Sequence, residues 1–187
     1  MDDELKKPVK ASSIIHEGAL FVADAHYPHH GEEFLLLLKA LEEGRIEAPQ
    51  LFLMGDIFDL IFGCGEYILS HQREAVETLR RLSERMEIHY LEGNHDFLLK
   101  NIFPNINVYS RGAQPVLMEL EGEKVMLSHG DRYETGWGYE IFSRLLRCRG
   151  LLCLLLPWQK RVVEANLRPL RGKSICKELK GFDQKVQ

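Results

Sequence analysis

Across the first half of the chain, short apolar runs break off abruptly into polar residues, and helix-like stretches separate them. Three segments share this grammar: ALFVADAH (19–26), LFLMGDIFD (51–59) and EIHYLEGNHD (87–96). Each opens with apolar residues over the length of a strand and closes on acids, an amide or histidines. Between them, apolar residues recur on a helical period in EEFLLLLKALEEG (32–44), with Gly44 as the stop, and in EYILSHQREAVETLRRLSERM (66–86). Strand and helix in alternation predict βαβ units, and so a mainly parallel sheet with helices outside it. In such sheets ligands bind beyond the carboxyl ends of the strands, which is where these polar residues gather.

After residue 105 the pattern changes. INVYS (106–110), QPVLMEL (114–120) and EKVMLSHGD (123–131) read as strands, the last two joined through EGE as a hairpin. They predict a second, more antiparallel sheet. From Gly138 onward the chain reads as helix, interrupted near Gly150 and Pro157. The expected organisation is therefore a core over residues 1–137 and a helical insert or lid over 138–187, within one domain.

Composition leaves this picture standing. A chain of 187 residues, 45% hydrophobic and 28% charged, suits one globular domain with a sizeable core. Residues 1–18 begin with acids and contain no apolar segment, so no secretory signal is expected. Cys64, Cys148, Cys153 and Cys176 show no paired spacing, which predicts reduced thiols and a cytoplasmic protein. Charge adds something new. The total of −4 combines a net of −12 over residues 1–140 with +7 over residues 141–173. A basic block beside a leucine-rich run points to phosphate or a membrane surface.

Taken singly, the polar clusters are weak signals. Gly-Asp is common turn chemistry, and Asp-x-His also suits a solvated turn. Their shared placement at strand ends is what matters, because it lets all four converge on one edge of a sheet. Asp24, His26, Asp56, Asn94 and His129 offer oxygen and imidazole donors with no thiolate. That mixture suits Mn²⁺, with Fe²⁺ or Zn²⁺ as alternatives, and argues against a structural zinc. A carboxylate can bridge two ions, and Asp56 in the middle is the natural shared ligand. Two ions roughly 3.5–4 Å apart can clamp a phosphoryl oxygen and lower the pKa of water towards about 7.

In order, DAH, GDIFD, GNHDF and SHGD resemble the signature of the calcineurin-like metallophosphoesterases over residues 19–133. The resemblance implies an α/β/β/α sandwich of two mixed sheets with outer helices, plus a helical insert. It implies that Asp24 and His26 bind a first metal, that Asp56 bridges, and that Asn94 and His129 bind a second. His95 would face the substrate and help the leaving oxygen depart, held by Asp59 as an acid–histidine dyad. Asp59 alternatively reads as a helix-start cap, and a cap is the preferred reading of Asp96. More narrowly, GDIFDLIFG, GNHDFLL and SHGDRYETG, followed by a basic leucine-rich insert, resemble the UDP-2,3-diacylglucosamine diphosphatases. Those enzymes cleave a pyrophosphate to UMP and a diacylated sugar phosphate. Their best-known branch carries Arg where this chain has His95.

The superfamily closes its site with Gly-His-x-His, and no such motif follows His129 here. The expectation is a longer parent protein. The alternatives are a short form that borrows ligands, His29 and His30 being nearest, or a scaffold that has lost catalysis. Otherwise His29 and His30 are expected as substrate contacts at the mouth. His16, His71 and His89 read as packing or surface residues.

The insert contains GLLCLLLPW, nine residues and too short to span a bilayer. It reads either as a helix buried against the domain or as a wall for acyl chains. In the second reading Arg144, Arg147, Arg149, Lys160 and Arg161 meet phosphates or anionic lipid. The expected partners are then a nucleotide-linked glycolipid and the cytoplasmic face of the inner membrane, with the protein peripheral on it. Nucleic acid is not expected, because the rest of the chain is acidic. A phosphatase or phosphodiesterase for soluble phosphoesters is the competing enzymatic reading.

Overall fold

A central strand of a parallel sheet is buried on both faces, and the sequence QLFL meets that demand at every position. It forms β2 (Gln50–Leu53), all four residues buried. In the computed structural model, which describes residues 14–63 and 72–131 together with Ile141, Arg144, Leu145, Arg147, Cys148 and Gly150, β2 is flanked by β1 (Leu20–Val22) and β4 (Glu87–Leu91). β6 (Asn107–Tyr109) completes a four-stranded sheet in the order β1-β2-β4-β6. All three pairings are parallel, with Phe21 opposite Phe52 and Phe52 opposite His89. The carboxyl ends of β1, β2 and β4 thus leave the sheet on one side, as the pattern predicted.

INVYS is placed differently from the expectation. It supplies β6 of the parallel sheet and not a strand of the second one. The crossover from β4 buries Leu99, Ile102, Phe103 and Ile106 around a 3₁₀ turn at Leu99–Asn101, which brings the chain back to run parallel. That crossover also holds the short strand β5 (Asp96–Phe97), paired in parallel with β3 (Ile61–Phe62). The hairpin is as expected. β7 (Val116–Leu120) and β8 (Glu123–Leu127) pair antiparallel around Glu121 and Gly122, both with positive φ.

Among the described residues of the first unit, two helices fall within the predicted stretches. α1 (Glu33–Glu42) buries Phe34, Leu35, Leu38 and Leu41, and α2 (Arg73–Leu82) buries Ala75, Val76, Leu79 and Leu82. Each large apolar side chain so buried contributes about 1.5–3 kcal/mol. The helices pack on one another, with Lys39 Nζ 2.6 Å from Glu74 and the Arg81 guanidinium on both Glu42 oxygens at 2.5 and 3.2 Å. Phe34 reaches the loops beyond the sheet, its ring against Tyr27 and Phe58.

One face of the parallel sheet carries a row of stacked rings. Phe21 lies on Phe52 at 4.6 Å, Phe52 on His89 at 4.4 Å, and His89 faces Tyr109 at 5.9 Å. His89 is a packing residue, as read from the sequence. Phe52 on this face packs with Met118 of the hairpin and with Ile15, joined by Val116, Val125 and Leu127. The opposite face, with Leu51, Leu53, Ile88 and Tyr90, is fully buried. Helices, parallel sheet and hairpin together make the mixed α/β sandwich.

The chain divides into two units, Met1–His129 and Gly130–Gln187. The expected insert falls in the second, where Ile141, Arg144, Leu145 and Gly150 are helical and exposed. Among the described residues, no helix is long and apolar enough to cross a membrane. Cys148 is an exposed free thiol; Cys64, Cys153 and Cys176, and His71, lie outside the described residues.

Candidate metal centre

Where β1 and β2 end, their continuing loops zip together through the main chain. Met54 N–H donates to Val22 O at 2.8 Å, Asp24 N–H to Gly55 O at 3.2 Å, His26 N–H to Asp56 O at 3.1 Å and Tyr27 N–H to Ile57 O at 2.9 Å. Along this ladder Asp24, His26 and Asp56 adopt φ of 49°, 42° and 51°. Asp and His tolerate that left-handed backbone better than most residues. The result is that one ligand atom from each of the three lies within 4.8 Å of the others. Burial holds the His26 imidazole below its ordinary value, with His95 and His30 pressing the same way against the pull of Asp56. The ring is thereby kept neutral, which is the form that offers a lone pair to a cation.

Asn94, His95 and His129 also gather around Asp56. His129 Nε2 is 3.2 Å from Asn94 Oδ1 and 3.7 Å from Asp56 Oδ1. Its Nδ1 is 3.0 Å from the Met54 carbonyl, which can only accept, so the proton sits on Nδ1 and Nε2 presents a lone pair. With the ring neutral, an imidazole nitrogen, an amide oxygen and a carboxylate oxygen meet around one point. Nitrogen and oxygen donors of these types suit a divalent cation, so the donor set fits the metal that the sequence implied.

Two glycines make the approach possible. A Cβ on Gly55 would run into the His129 imidazole, and one on Gly93 would strike the Asp56 carboxylate. The Gly-Asp and Gly-Asn pairs are thus requirements of close packing as well as turn chemistry.

Asp96 is the residue that sequence reasoning misjudged. It caps no helix; it lies in β5, fully buried. Its Oδ1 accepts the Asp56 N–H at 3.0 Å and the Gly93 N–H at 2.7 Å, and its Oδ2 accepts the Ile57 N–H at 2.8 Å and the Tyr90 hydroxyl at 2.6 Å. Burial, then the charge of Asp56, pushes its carboxyl up to about 7, while these donors pull it down. The Tyr90 hydroxyl is itself pushed well up by burial and remains a donor. A buried acid three residues after a glycine was the signal available in the sequence.

The expected carboxylate–imidazole dyad of Asp59 and His95 takes another form. His95 Nδ1 lies 2.8 Å from the main-chain carbonyl of Asp59, while the Asp59 carboxylate accepts the His29 N–H at 3.0 Å. The main-chain carbonyl of Asp59, and not its side chain, thus meets the ring. His95 is further tied by its N–H to Asp56 Oδ1 at 3.0 Å, and its Nε2 is 4.0 Å from Asp56 Oδ2. Burial raises the Asp59 carboxyl against the pull of the His29 amide.

His29 and His30 are exposed at the rim. The His30 ring meets that of His26 edge-on at 4.9 Å, and His26 meets His95 at 5.0 Å. Of the expected basic contacts, Arg144 is exposed and Arg147 half-buried in the second unit; Arg149, Lys160 and Arg161 lie outside the described residues.

A parallel sheet whose strand ends converge on an oxygen–imidazole centre defines a metallophosphoesterase-type fold. The model of the calcineurin-like phosphoesterase family matches residues 19–167, and the chain belongs to that family. Among known proteins it is similar to a UDP-2,3-diacylglucosamine hydrolase of Photorhabdus laumondii, 31% identical over 74% of this chain and 59% of the relative. A protein of the same name from Aeromonas hydrophila is 31% identical over 83% of this chain and 65% of its own length. One from Pseudomonas putida is 31% identical over 68% and 54%. The chain thus spans under two thirds of the length of the curated relatives it matches.

Proposed function

We propose that this protein is a metal-dependent hydrolase that cleaves the pyrophosphate of UDP-2,3-diacylglucosamine to UMP and 2,3-diacylglucosamine 1-phosphate. The observation that supports it most is the convergence of Asp24, His26 and Asp56 within 4.8 Å, with His129 Nε2 3.7 Å from Asp56 Oδ1 and 3.2 Å from Asn94 Oδ1. Asp24 and His26 would hold a first divalent ion, Asn94 and His129 a second, and Asp56 both, Mn²⁺ being the preferred metal. When bound, such ions supply Lewis-acid polarisation of phosphoryl oxygens and activation of water.

The chain's own residues do the rest. The Asp59 carbonyl accepts the His95 Nδ1–H, which leaves Nε2 as the ring nitrogen for the substrate; as imidazolium, His95 would donate its Nε2–H to the oxygen of the departing phosphate. Water adds its oxygen to one phosphorus as the bridging P–O bond breaks, and the leaving phosphate takes the electron pair. His29 and His30, exposed at the rim, would contact the diphosphate. The basic, leucine-rich stretch with Arg144, Arg147, Arg149, Lys160 and Arg161 would receive acyl chains and anionic headgroups on the cytoplasmic membrane face. The names of the relatives support this substrate.

A second reading rests on His95. The Gly-Asn-His-Asp form is general to the superfamily, and it favours a phosphatase or phosphodiesterase for a soluble phosphoester. The deciding experiment follows UMP release from UDP-2,3-diacylglucosamine and from its deacylated analogue, with Mn²⁺ and with chelator. Metal-dependent release that is much faster from the diacylated compound is expected. Hydrolysis of a simple phosphodiester without release of UMP from the lipid would establish the soluble reading instead.

A further inference from the structure

We propose that Gln114, which belongs to none of the four motifs, is a positioning residue that sets the separation of Asn94 and His129. The proposal rests on the reading of those two residues as metal ligands. Gln114 lies between a 3₁₀ turn at Arg111–Ala113 and β7, and is 5% exposed. Its Oε1 accepts the His129 N–H at 2.9 Å, while its Nε2 donates to Glu92 O at 2.8 Å and to Tyr109 O at 3.3 Å. One amide thus ties the end of β4, the end of β6 and the second residue after β8.

The chemistry of the side chain is specific. A carboxamide joins an acceptor and a two-proton donor in one rigid plane. Glutamate keeps the acceptor and loses the donor; methionine keeps the length and loses both. Asn94 stands two residues beyond Glu92, in a turn whose Gly93 N–H is held by Asp96. His129 has its ring anchored at Met54 and its main chain anchored at Gln114. With Asp96 fixing one ligand's loop and Met54 the other's ring, Gln114 joins the two loops. Metal sites tolerate about ±0.2 Å in ligand distance, and loss of an outer partner typically costs 10–100-fold in metal affinity. Asp24 and His26 have no part in this link, because their loop is held to that of Asp56 through the main chain.

The test is calorimetric titration of the metal-free, full 187-residue chain with Mn²⁺, comparing wild type with Gln114→Met and Gln114→Glu. The wild type should take up two ions. Gln114→Met should weaken one of the two steps by about 10–100-fold and leave the other unchanged. Gln114→Glu, which preserves the bond to His129, should give a smaller loss at the same step and remains informative if the methionine variant fails to fold. Two steps of wild-type affinity in both variants would overturn the proposal alone. Parallel weakening of both steps would also overturn it, since that marks general loosening. A wild-type chain that takes up fewer than two ions would remove the ligand assignment itself, and the proposal with it.

Discussion

The two sides of the metal centre are built by different means. Asp24, His26 and Asp56 sit on loops that pair with one another along the main chain, directly beyond the strands that carry them. His129 arrives from the hairpin, and its ring is anchored to a carbonyl 75 residues away in sequence. The first side depends on backbone geometry: positive φ at its three ligands and the main-chain ladder between their loops. The second depends on tertiary packing being right, because the hairpin must be seated on the sheet before His129 can meet Asn94. Local construction can be read from a motif, whereas packing has to be seen.

The comparison can be broken most severely at the residue both sides share. Asp56→Asn should reduce metal-dependent hydrolysis by more than about a hundredfold, since direct ligands outweigh the outer partners whose loss costs 10–100-fold. Its melting temperature without metal should stay close to wild type, because Asn suits the same backbone conformation. Activity assays and thermal melts on one preparation check both halves of the prediction.

Asp96→Asn strikes both sides, because Asp96 holds the Asp56 loop and the Gly93 turn before Asn94. It replaces an acceptor by an amide donor that faces main-chain N–H groups. Leaving one such buried group unpaired costs about 1–3 kcal/mol, which chemical denaturation will read. The Asp56 loop and the Asn94 turn should both loosen with it, so both metal steps should weaken, in contrast to the single step expected at Gln114.

The mildest lever is pH, acting on the seam between the sheet and the hairpin. His89 is buried in the ring stack, with Nδ1 3.0 Å from the Tyr109 hydroxyl and Nε2 3.2 Å from Glu87. Burial holds its folded pKa below 6.5, and Glu87 only partly offsets this. The unfolded chain therefore binds the proton first, and His89 lowers stability as pH falls from 6.5 towards its folded value. The slope from this residue is at most about 1.4 kcal/mol per pH unit. His89→Phe, which keeps the stack, should flatten that part of the stability profile; an unchanged slope would remove His89 as its source.

Much of the parallel sheet was readable because an apolar run of strand length that stops at Asp, Asn or His suits a buried strand opening onto a site. α1 and its stop at Gly44, and the hairpin turn at Glu121–Gly122, followed from equally local signals. The placement of β6 was not readable, since INVYS suits an edge strand of either sheet and the crossover decided between them. Asp96 was missed because two of its four partners, the N–H groups of Asp56 and Ile57, lie 40 and 39 residues away in sequence. The role given to the Asp59 carboxylate failed because sequence spacing cannot show whether a side chain or a main-chain carbonyl meets the ring. Gln114 carried no signal at all, as glutamine before proline is ordinary loop chemistry.

The left-handed backbone at Asp24, His26 and Asp56 also narrows what mutation can leave behind. A single base change converts an aspartate codon to asparagine, glycine, alanine, valine, glutamate, histidine or tyrosine. Asparagine and glycine keep this conformation at little cost, whereas the β-branched and bulky products do not. A lineage released from selection for hydrolysis would therefore drift first to asparagine or glycine at these positions. Its descendants would lose the carboxylate and keep the fold, so this architecture is predisposed to leave folded, inactive paralogues rather than unfolded ones.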